Sequence, residues 1–432
     1  GEWMQTTINP CSQSSVHGGL TAQEIGKMAS VAEKRVKDEV KEAEKIRRQK
    51  VRDKFKEDVK KGGAMVHKAI KNVKGGKKEF VQPTHTIKIQ DKITSEPAEI
   101  HKVFAKEWSD KVFRLQRDKP DWNAFKRAYG EYVPRVHYED GQIDGQDMHR
   151  VVQAMGRTVP GLDGWRVHEL KLLGLQAWTE RARIVSSQMK KGKVPQSYKI
   201  VSTPMMPKSK ATEVIMDHRG LAIFSILWRI ESGAWYRRLA GWQENWLPEG
   251  VHGARPGHEC LSSAWPAQAR IEQAMLKNED RAAATLDYSK LFDRFDPSFY
   301  MEMPKSMGYP EGLARMQADL YDGFTRHIRI AGTYGQPIVS ECGMGQGCCL
   351  SLIAANATVT IEFVMLQHQT PDVENSAFID DRTLDAQNDN ELEMAIEEVV
   401  KMDQLMGHTT NIDNQRFWPQ PKESGEERGA SR

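Results

Sequence analysis

The chain has 432 residues, of which 39% are hydrophobic and 28% charged, and its formal net charge is +3. This composition indicates a globular protein of roughly two or three domains, and it excludes a miniprotein, a collagen-like chain and a wholly disordered one. Five cysteines, two of them adjacent, do not resemble a secreted disulfide framework, and no segment has the pattern of a signal peptide or a membrane span. We therefore predict an intracellular protein, nuclear or cytoplasmic and not secreted.

The first predicted element is a basic, helical or flexible arm over residues 1–80. Residues 33–78 carry 18 Lys and Arg against 8 Asp and Glu, so the remainder of the chain is mildly acidic. Thr21 and Glu24 form a capping pattern, and apolar residues then recur at three- and four-residue steps, which predicts a long helix. Clustered cations suit a polyanion such as nucleic acid, because each neutralised phosphate releases counterions. A solvated charged helix is the alternative.

A helical segment is predicted over residues 81–145, and a denser mixed α/β unit follows it nearly to the C-terminus. In the helical segment, apolar residues after Ser95 recur at four-residue spacing, at Ile100, Phe104, Trp108 and Val112. In the mixed unit, three tryptophans lie seven residues apart, at Trp228, Trp235 and Trp242. This spacing favours a buried aromatic stripe on one helix over a surface for base stacking. Residues 417–432 are polar and charged, and we expect a disordered tail.

The first segment with chemical content ends in Asp287. A short apolar run, residues 284–286, precedes this aspartate and predicts a buried strand. The carboxylate would then lie where the chain turns towards solvent and a metal ion can reach it. An aspartate in this position is more often a cap or turn residue than a ligand, so the segment gains meaning only from its partners.

The second such segment contains Asp380 and Asp381. Two short β-prone runs flank the pair, which predicts a hairpin with both aspartates at its tip. Neighbouring side chains on a strand point to opposite faces, so we expect Asp380 to share a cation with Asp287 and Asp381 to lie nearer the edge of the site. A plain Asp-Asp turn is the alternative.

Between these segments lies a glycine-rich loop, residues 343–347, followed by an apolar stretch of helical length. Glycines allow the backbone to approach a bulky ligand closely, and Gln346 offers both a donor and an acceptor. A flexible turn before a buried helix is the alternative.

In this order, the three segments resemble the palm motifs of reverse transcriptases, especially those of non-LTR retrotransposons and group II introns. The family motif Asp-x-x-Lys-Ala-Phe-Asp is matched by Asp287, Lys290, Phe292 and Asp293, with Leu291 in place of alanine. The motif Gly-x-x-Gln-Gly-x-x-Leu-Ser is matched by Gly343, Gln346, Gly347, Leu350 and Ser351. The aromatic-x-Asp-Asp motif is matched by Phe378, Asp380 and Asp381.

The resemblance extends upstream and covers about residues 98–416. Residues 160–165 are similar to the Pro-Gly-x-Asp-Gly motif of the fingers. Lys208 follows the proline of a Pro-Lys pair, and Arg219 matches an Arg-Pro-Ile signature in which Gly220 replaces the proline. Residues 251–257 resemble the Gly-Phe-Arg-Pro-Gly segment with alanine in place of its aromatic residue.

The resemblance implies an α+β fold of the right-hand polymerase type. Its fingers-like region would cover residues 146–280, and its palm-like region, an antiparallel sheet with packed helices, would cover residues 281–416. Only 52 residues follow Asp380, so we expect the thumb to be absent or truncated.

The implied activity is RNA-directed DNA synthesis by two-metal nucleotidyl transfer to a primer 3′-hydroxyl, with Mg²⁺ or alternatively Mn²⁺ as cofactor. The implied partners are an RNA template, a DNA primer and dNTPs, with no membrane and an undetermined oligomeric state. Asp287, Asp380 and Asp381 would be the catalytic metal ligands. Phe292 would exclude a ribose 2′-hydroxyl, Arg219 and Lys208 would lie near the triphosphate, and Gln346 and Gly347 would line the pocket for template and nucleotide.

Several features depart from the family pattern. Gln415 stands where a lysine is usual, and no endonuclease-like or RNase H-like segment is visible, which suggests a fragment or a decayed element. One alternative is therefore a catalytically inactive, retroelement-derived nucleic-acid-binding protein. A viral RNA-dependent RNA polymerase is disfavoured by the Gly-x-x-Gln-Gly loop. A zinc site formed by His252, His258 and Cys260 is disfavoured by its spacing.

Overall fold

The computed structural model describes residues 86–89, 92–114, 119–208 and 214–411, together with seven isolated residues between Lys34 and Asp53. The chain divides into two compact units, Gly1–Glu79 and Phe80–Arg432. The seven isolated residues are helical and exposed. The rest of the predicted basic arm, Gln415 and the predicted tail all lie outside the described residues.

The N-terminal part of the second unit begins with a small hairpin of β1 (Ile87–Ile89) and β2 (Lys92–Thr94). Helix α1 (Pro97–Trp108) follows, and its first-turn proline suits a position where the backbone N–H has no helical partner. Ile100, Phe104 and Trp108 are buried, so the helix predicted after Ser95 is confirmed. Val112 is also buried, but it lies in a π-helical turn, residues 109–113, rather than in the α-helix.

Among the residues that the structure describes, six further α-helices follow α1 before residue 282. They are α2 (Trp122–Tyr129), α3 (Gly145–Ala154), α4 (Val167–Leu170), α5 (Leu175–Lys191), α6 (Ile226–Glu244) and α7 (Cys260–Lys277). Trp228, Trp235 and Trp242 on α6 are no more than 3% exposed, so the predicted buried stripe is confirmed.

One four-stranded sheet is formed by β3 (Ile200–Pro207), β4 (His218–Gly220), β6 (Thr325–Ile330) and β7 (Thr333–Val339), in the order β4-β3-β6-β7. Strands β3 and β6 pair in parallel, whereas the other two pairs are antiparallel. Apolar residues of α1 pack with Met205, Ile328, Ile330 and Ile338 of this sheet. The sheet therefore joins strands from both sequence regions, 146–280 and 281–416.

The second four-stranded sheet is antiparallel throughout. It contains β5 (Ala282–Tyr288), β8 (Glu374–Phe378), β9 (Asp381–Ala386) and β10 (Thr410–Asn411), in the order β10-β5-β9-β8. Helices α8 (Leu291–Arg294), α9 (Pro297–Ser306), α10 (Glu311–Tyr321), α11 (Ser351–Gln369) and α12 (Asp389–Leu405) complete the core.

The mixture of packed helices and two separate four-stranded sheets confirms the α+β class. Helix α11 is buried on nearly all sides, which accounts for the apolar stretch that follows the glycine loop. No helix in the described part of the chain has both the length and the hydropathy that a bilayer span requires.

Candidate active site

The three aspartates selected from the sequence line a single cavity of about 900 Å³. Asp287 is the penultimate residue of β5, at the end of a buried strand as predicted. In the β5–β9 register Leu286 lies opposite Arg382, and one further step places Asp287 opposite Asp381. The antiparallel pairing of two short strands therefore brings together carboxylates that are separated by more than 90 positions in the sequence.

Asp380 is held at the tip of the β8–β9 hairpin. Phe378 pairs with Asp381, so the loop consists of only Ile379 and Asp380, and the predicted hairpin is confirmed. Ile379 has φ +64°, in the left-handed region that β-branched residues rarely adopt. Gly253 packs closely against this loop, since a Cβ at position 253 would lie 2.3 Å from the backbone nitrogen of Ile379. A larger residue at position 253 would therefore displace the tip that carries Asp380.

Electrostatics couples the three carboxylates. Burial raises the pKa of Asp380 above its ordinary value, and the charges of Asp381 and Asp287 raise it further, whereas Arg219 lowers it. Burial and Asp287 likewise raise the pKa of Asp381, again opposed by Arg219. Asp380 and Asp287 are half-buried and Asp381 is exposed, and the predicted division of roles between Asp380 and Asp381 stays a prediction. The site concentrates negative charge beside one arginine, and a bound cation would relieve that repulsion.

The two cations selected from the sequence lie on neighbouring strands of the mixed sheet and line the same cavity. Arg219 on β4 is paired with Met206 on β3. The backbone N–H of Lys208, which directly follows β3, donates a hydrogen bond of 2.8 Å to the carbonyl of Asp217. Both side chains therefore project from one hairpin that forms a wall of the carboxylate cavity.

Phe292 on α8 lines the cavity and is 9% exposed. Its ring packs edge-on against Phe295, with ring centroids 5.6 Å apart. The second aspartate of that motif, Asp293, is 2% exposed, and its Oδ1 lies 3.8 Å from Nη1 of the buried Arg326. Burial raises the pKa of Asp293. The ring of Phe292 thus reaches the cavity, whereas Asp293 serves the core behind it.

The glycine-rich loop is docked on the segment that follows β4. The backbone carbonyl of Gln346 accepts a 2.8 Å hydrogen bond from the N–H of Ala222. Gly347 has φ +130°, and a Cβ there would lie 2.4 Å from the Ala222 carbonyl oxygen. A Cβ on Gly345 would lie 2.5 Å from the ring of Phe224. Close approach of other parts of the protein therefore already requires glycine at these two positions, and their approach to a ligand stays a prediction.

All eight residues that the sequence analysis assigned to the site line this cavity. They are Lys208, Arg219, Asp287, Phe292, Gln346, Gly347, Asp380 and Asp381. Lys290 and Arg229 also line it and were given no role there. Lys290 belongs to the Asp-x-x-Lys-Ala-Phe-Asp motif, so the sequence contained a signal that could have placed it at the site. Arg229 donates to the Val159 carbonyl at 2.8 Å, a contact with no signature in sequence.

The donor set fits a hard divalent cation, because carboxylate oxygens are the ligands that Mg²⁺ and Mn²⁺ prefer. Within the described ranges, no three His, Cys, Asp or Glu side chains are grouped closely enough to hold one ion between them. The aspartates therefore share a cavity and an electrostatic field without forming a preassembled three-ligand cluster. Nδ1 of His252 lies 2.8 Å from Nδ1 of His258, but Cys260 does not complete a zinc site with them.

Comparison with known proteins bears directly on this region. Residues 206–413 match the family described as "Reverse transcriptase (RNA-dependent DNA polymerase)". The chain is 23% identical over 196 residues to the "Transposon TX1 uncharacterized 149 kDa protein" of Xenopus laevis, which covers 44% of this chain and 15% of the relative. It is 24% identical over 228 residues to the "Retrovirus-related Pol polyprotein from type-2 retrotransposable element R2DM" of Drosophila melanogaster, which covers 51% of this chain and 21% of the relative.

The matched segments thus span about a fifth or less of these relatives' own length, and both relatives are non-LTR retrotransposon proteins. The matched range contains both four-stranded sheets except for residues 200–205, which are most of β3, and it contains all eight residues selected from the sequence. Residues 206–413 therefore carry a match to the reverse transcriptase family, and they are similar to segments of two non-LTR retrotransposon proteins.

Proposed function

We propose that this chain catalyses RNA-directed DNA synthesis, in which a nucleotidyl group passes from a dNTP to the 3′-hydroxyl of a primer paired with an RNA template. One observation carries the proposal: five separate sequence segments, each matching a motif of the family in order, supply the eight residues that line one cavity. Its volume of about 900 Å³ is large enough for a nucleoside triphosphate.

Asp287 and Asp380, with Asp381 in support, would hold the divalent cations. When bound, Mg²⁺ or Mn²⁺ supplies activation of the primer hydroxyl and neutralisation of the pyrophosphate leaving group. The remaining residues bind and orient the substrate. Arg219 and Lys208 offset the charge of the triphosphate, because they project from the wall that also faces the carboxylates.

The proposal is tested by primer extension on poly(rA) with oligo(dT) and dTTP, with Mg²⁺, with Mn²⁺ and with the chelator EDTA. We expect extension that depends on the cation and stops when the cation is chelated. Template binding without extension under either cation would instead support the catalytically inactive nucleic-acid-binding protein, which the basic segment 33–78 favours.

Phe292→Val is expected to raise the incorporation of ribonucleotides relative to deoxyribonucleotides by about 10- to 100-fold. The ring reaches the cavity from α8, and truncating it opens the space that a 2′-hydroxyl needs. The measurement is the ratio of kcat/KM for rUTP and dTTP, which does not depend on the fraction of folded enzyme. Phe295→Val is the matched control, because that ring contacts Phe292 but does not line the cavity. An unchanged ratio in Phe292→Val would remove Phe292 from the nucleotide pocket.

A further inference from the structure

Lys290 occupies a backbone position that favours glycine. Its φ is +58°, and it caps the short helix α8 from the left-handed region, which is disfavoured for any residue with a Cβ. The backbone therefore supplies no reason for a lysine at this position. A strained conformation that is retained beside a functional cavity points to the contacts of the side chain as its cause.

The side chain of Lys290 crosses from the end of β5 to the hairpin of the mixed sheet. Its Nζ lies 3.3 Å from the carbonyl oxygen of Met216 and 3.2 Å from that of His218, and it donates to both. The same Nζ lies 4.4 Å from the ring centroid of Trp108, a cation–π geometry. Trp108 is fully buried, so the ammonium is held between an aromatic wall and two carbonyls.

These two carbonyls lie between Lys208 and Arg219 in the sequence, close to the end at Arg219. His218 directly precedes Arg219, and the carbonyl of Asp217, which lies between Met216 and His218, accepts from the N–H of Lys208. Tethering residues 216–218 therefore fixes the backbone from which both cations project. If the hydrogen bonds of Lys290 were lost, we expect β4 to stay paired with β3, while residues 216–218 would lose their link to the end of β5 and to Asp287.

We propose that Lys290 is a positioning residue for the incoming dNTP, because it fixes the segment 216–219 so that Arg219 and Lys208 face the carboxylates. The inference rests on the proposed function for its substrate, and on the hydrogen bonds of Nζ for its geometry. Lys290 acts through Arg219 and Lys208, and it need not touch the reacting atoms.

The protonation state of Lys290 supplies an independent readout. Burial lowers its pKa to about 8. The charged and titratable groups that face it are Asp293, Lys208, Arg294, Asp217 and His218. Above pH 8 the amine becomes neutral, so its hydrogen bonds and its cation–π contact weaken.

The same pKa shift also affects folding stability. In the unfolded chain Lys290 stays protonated to about pH 10.4, so between pH 8 and pH 10.4 its contribution to folding stability rises with pH. Weaker dNTP binding in that range would therefore not come from loss of stability through this group.

The geometric part is tested without any nucleotide, by hydrogen exchange of peptides that cover residues 214–221. We expect exchange in Lys290→Met to be about tenfold faster than in the unchanged chain. Lys305→Met on α9 is the matched control, because that lysine is exposed and pairs with the neighbouring Glu302, and it should leave residues 214–221 unchanged. Unchanged exchange in Lys290→Met would overturn the tether.

The functional part is tested by steady-state primer extension with varied dNTP. Lys290→Met should raise KM for dNTP about tenfold while kcat changes less than about threefold, since the ground-state position of two phosphate-facing cations is affected. In the unchanged chain KM should rise above pH 8, whereas Lys290→Arg should hold it constant to about pH 9.5, because arginine stays charged. An unchanged KM in an active Lys290→Met enzyme overturns the positioning role. If the unchanged chain does not extend primers, the proposed function fails. Hydrogen exchange then shows by itself whether Lys290 holds residues 216–218 in place.

Discussion

Asp380→Asn is expected to lower cation-dependent primer extension about a thousand-fold while leaving template binding intact. Asparagine has nearly the same shape but lacks the charge that a divalent cation requires of its ligand. A thousand-fold loss corresponds to about 4 kcal/mol of transition-state stabilisation, within the several kcal/mol that a catalytic metal ion supplies. The measurement is the single-turnover rate at saturating Mg²⁺ with a preformed template–primer complex.

The same variant should not lose stability. Burial, Asp381 and Asp287 all disfavour the charged form of Asp380 in the folded chain, so neutralising it relieves repulsion. We expect a Tm equal to or above that of the unchanged chain. Asp372→Asn is the matched control, because that aspartate lies in the exposed turn before β8 and outside the cavity. Normal extension by Asp380→Asn would show that catalysis does not depend on this carboxylate.

The elements that the sequence predicted correctly are those with local signals. The β-prone runs around Asp380 specify a tight hairpin, and an apolar run specifies the buried strand that ends at Asp287. The tryptophans of α6 lie on one buried face because a seven-residue step nearly completes two helical turns. In each case the information lies within about ten to twenty neighbouring residues.

What the sequence did not predict depends on pairing between distant segments. Strand β3 pairs in parallel with β6, about 125 residues further along the chain, and this pairing has no local signature. Lys208 and Arg219 were assigned to the site by family resemblance alone. The hydrogen bonds from Lys290 to the carbonyls of residues 216 and 218 also join distant segments. Sequence cannot predict them, because every residue has a backbone carbonyl.

A buried ionic network beneath the site was also missed, although the alternation rule applied to Asp380 and Asp381 extends to it. Asp381 begins β9 at the cavity, so the next residue, Arg382, points to the opposite face. Its Nη1 donates to Glu362 Oε2 at 2.6 Å, and its Nη2 donates to Asp403 Oδ2 at 3.1 Å. It also donates to the hydroxyl of Tyr288, the residue after Asp287. The network therefore joins the two strands that carry the candidate metal ligands.

Arg382→Leu is expected to reduce the free energy of unfolding by about 3 to 5 kcal/mol, because it leaves two buried carboxylates without their cation. Arg382 and Glu362 are fully buried and Asp403 is 1% exposed, so solvent cannot replace the lost partner. The measurement is equilibrium unfolding in urea at pH 8. Arg183→Leu is the matched control, since its ion pair with Glu180 is exposed on α5, and it should cost less than about 1 kcal/mol.

The reduction in the free energy of unfolding caused by Arg382→Leu should become smaller as the pH falls. Burial raises the pKa of Glu362 to about 7 even though Arg382 lowers it, so removing Arg382 raises that pKa further. In the unfolded chain the same carboxyl titrates near pH 4.3. Between the two values the folded variant binds a proton that the unfolded variant does not, so its stability rises as the pH is lowered. The unchanged chain gains stability in this way only below about pH 7, so the difference between the two chains narrows as the pH falls from 8 towards 7. We expect a clearly smaller loss at pH 5.5 than at pH 8, measured by the same urea titration. An equal loss at both values would mean that packing of the Arg382 side chain, rather than its charge, maintains the alignment of β5 and β9.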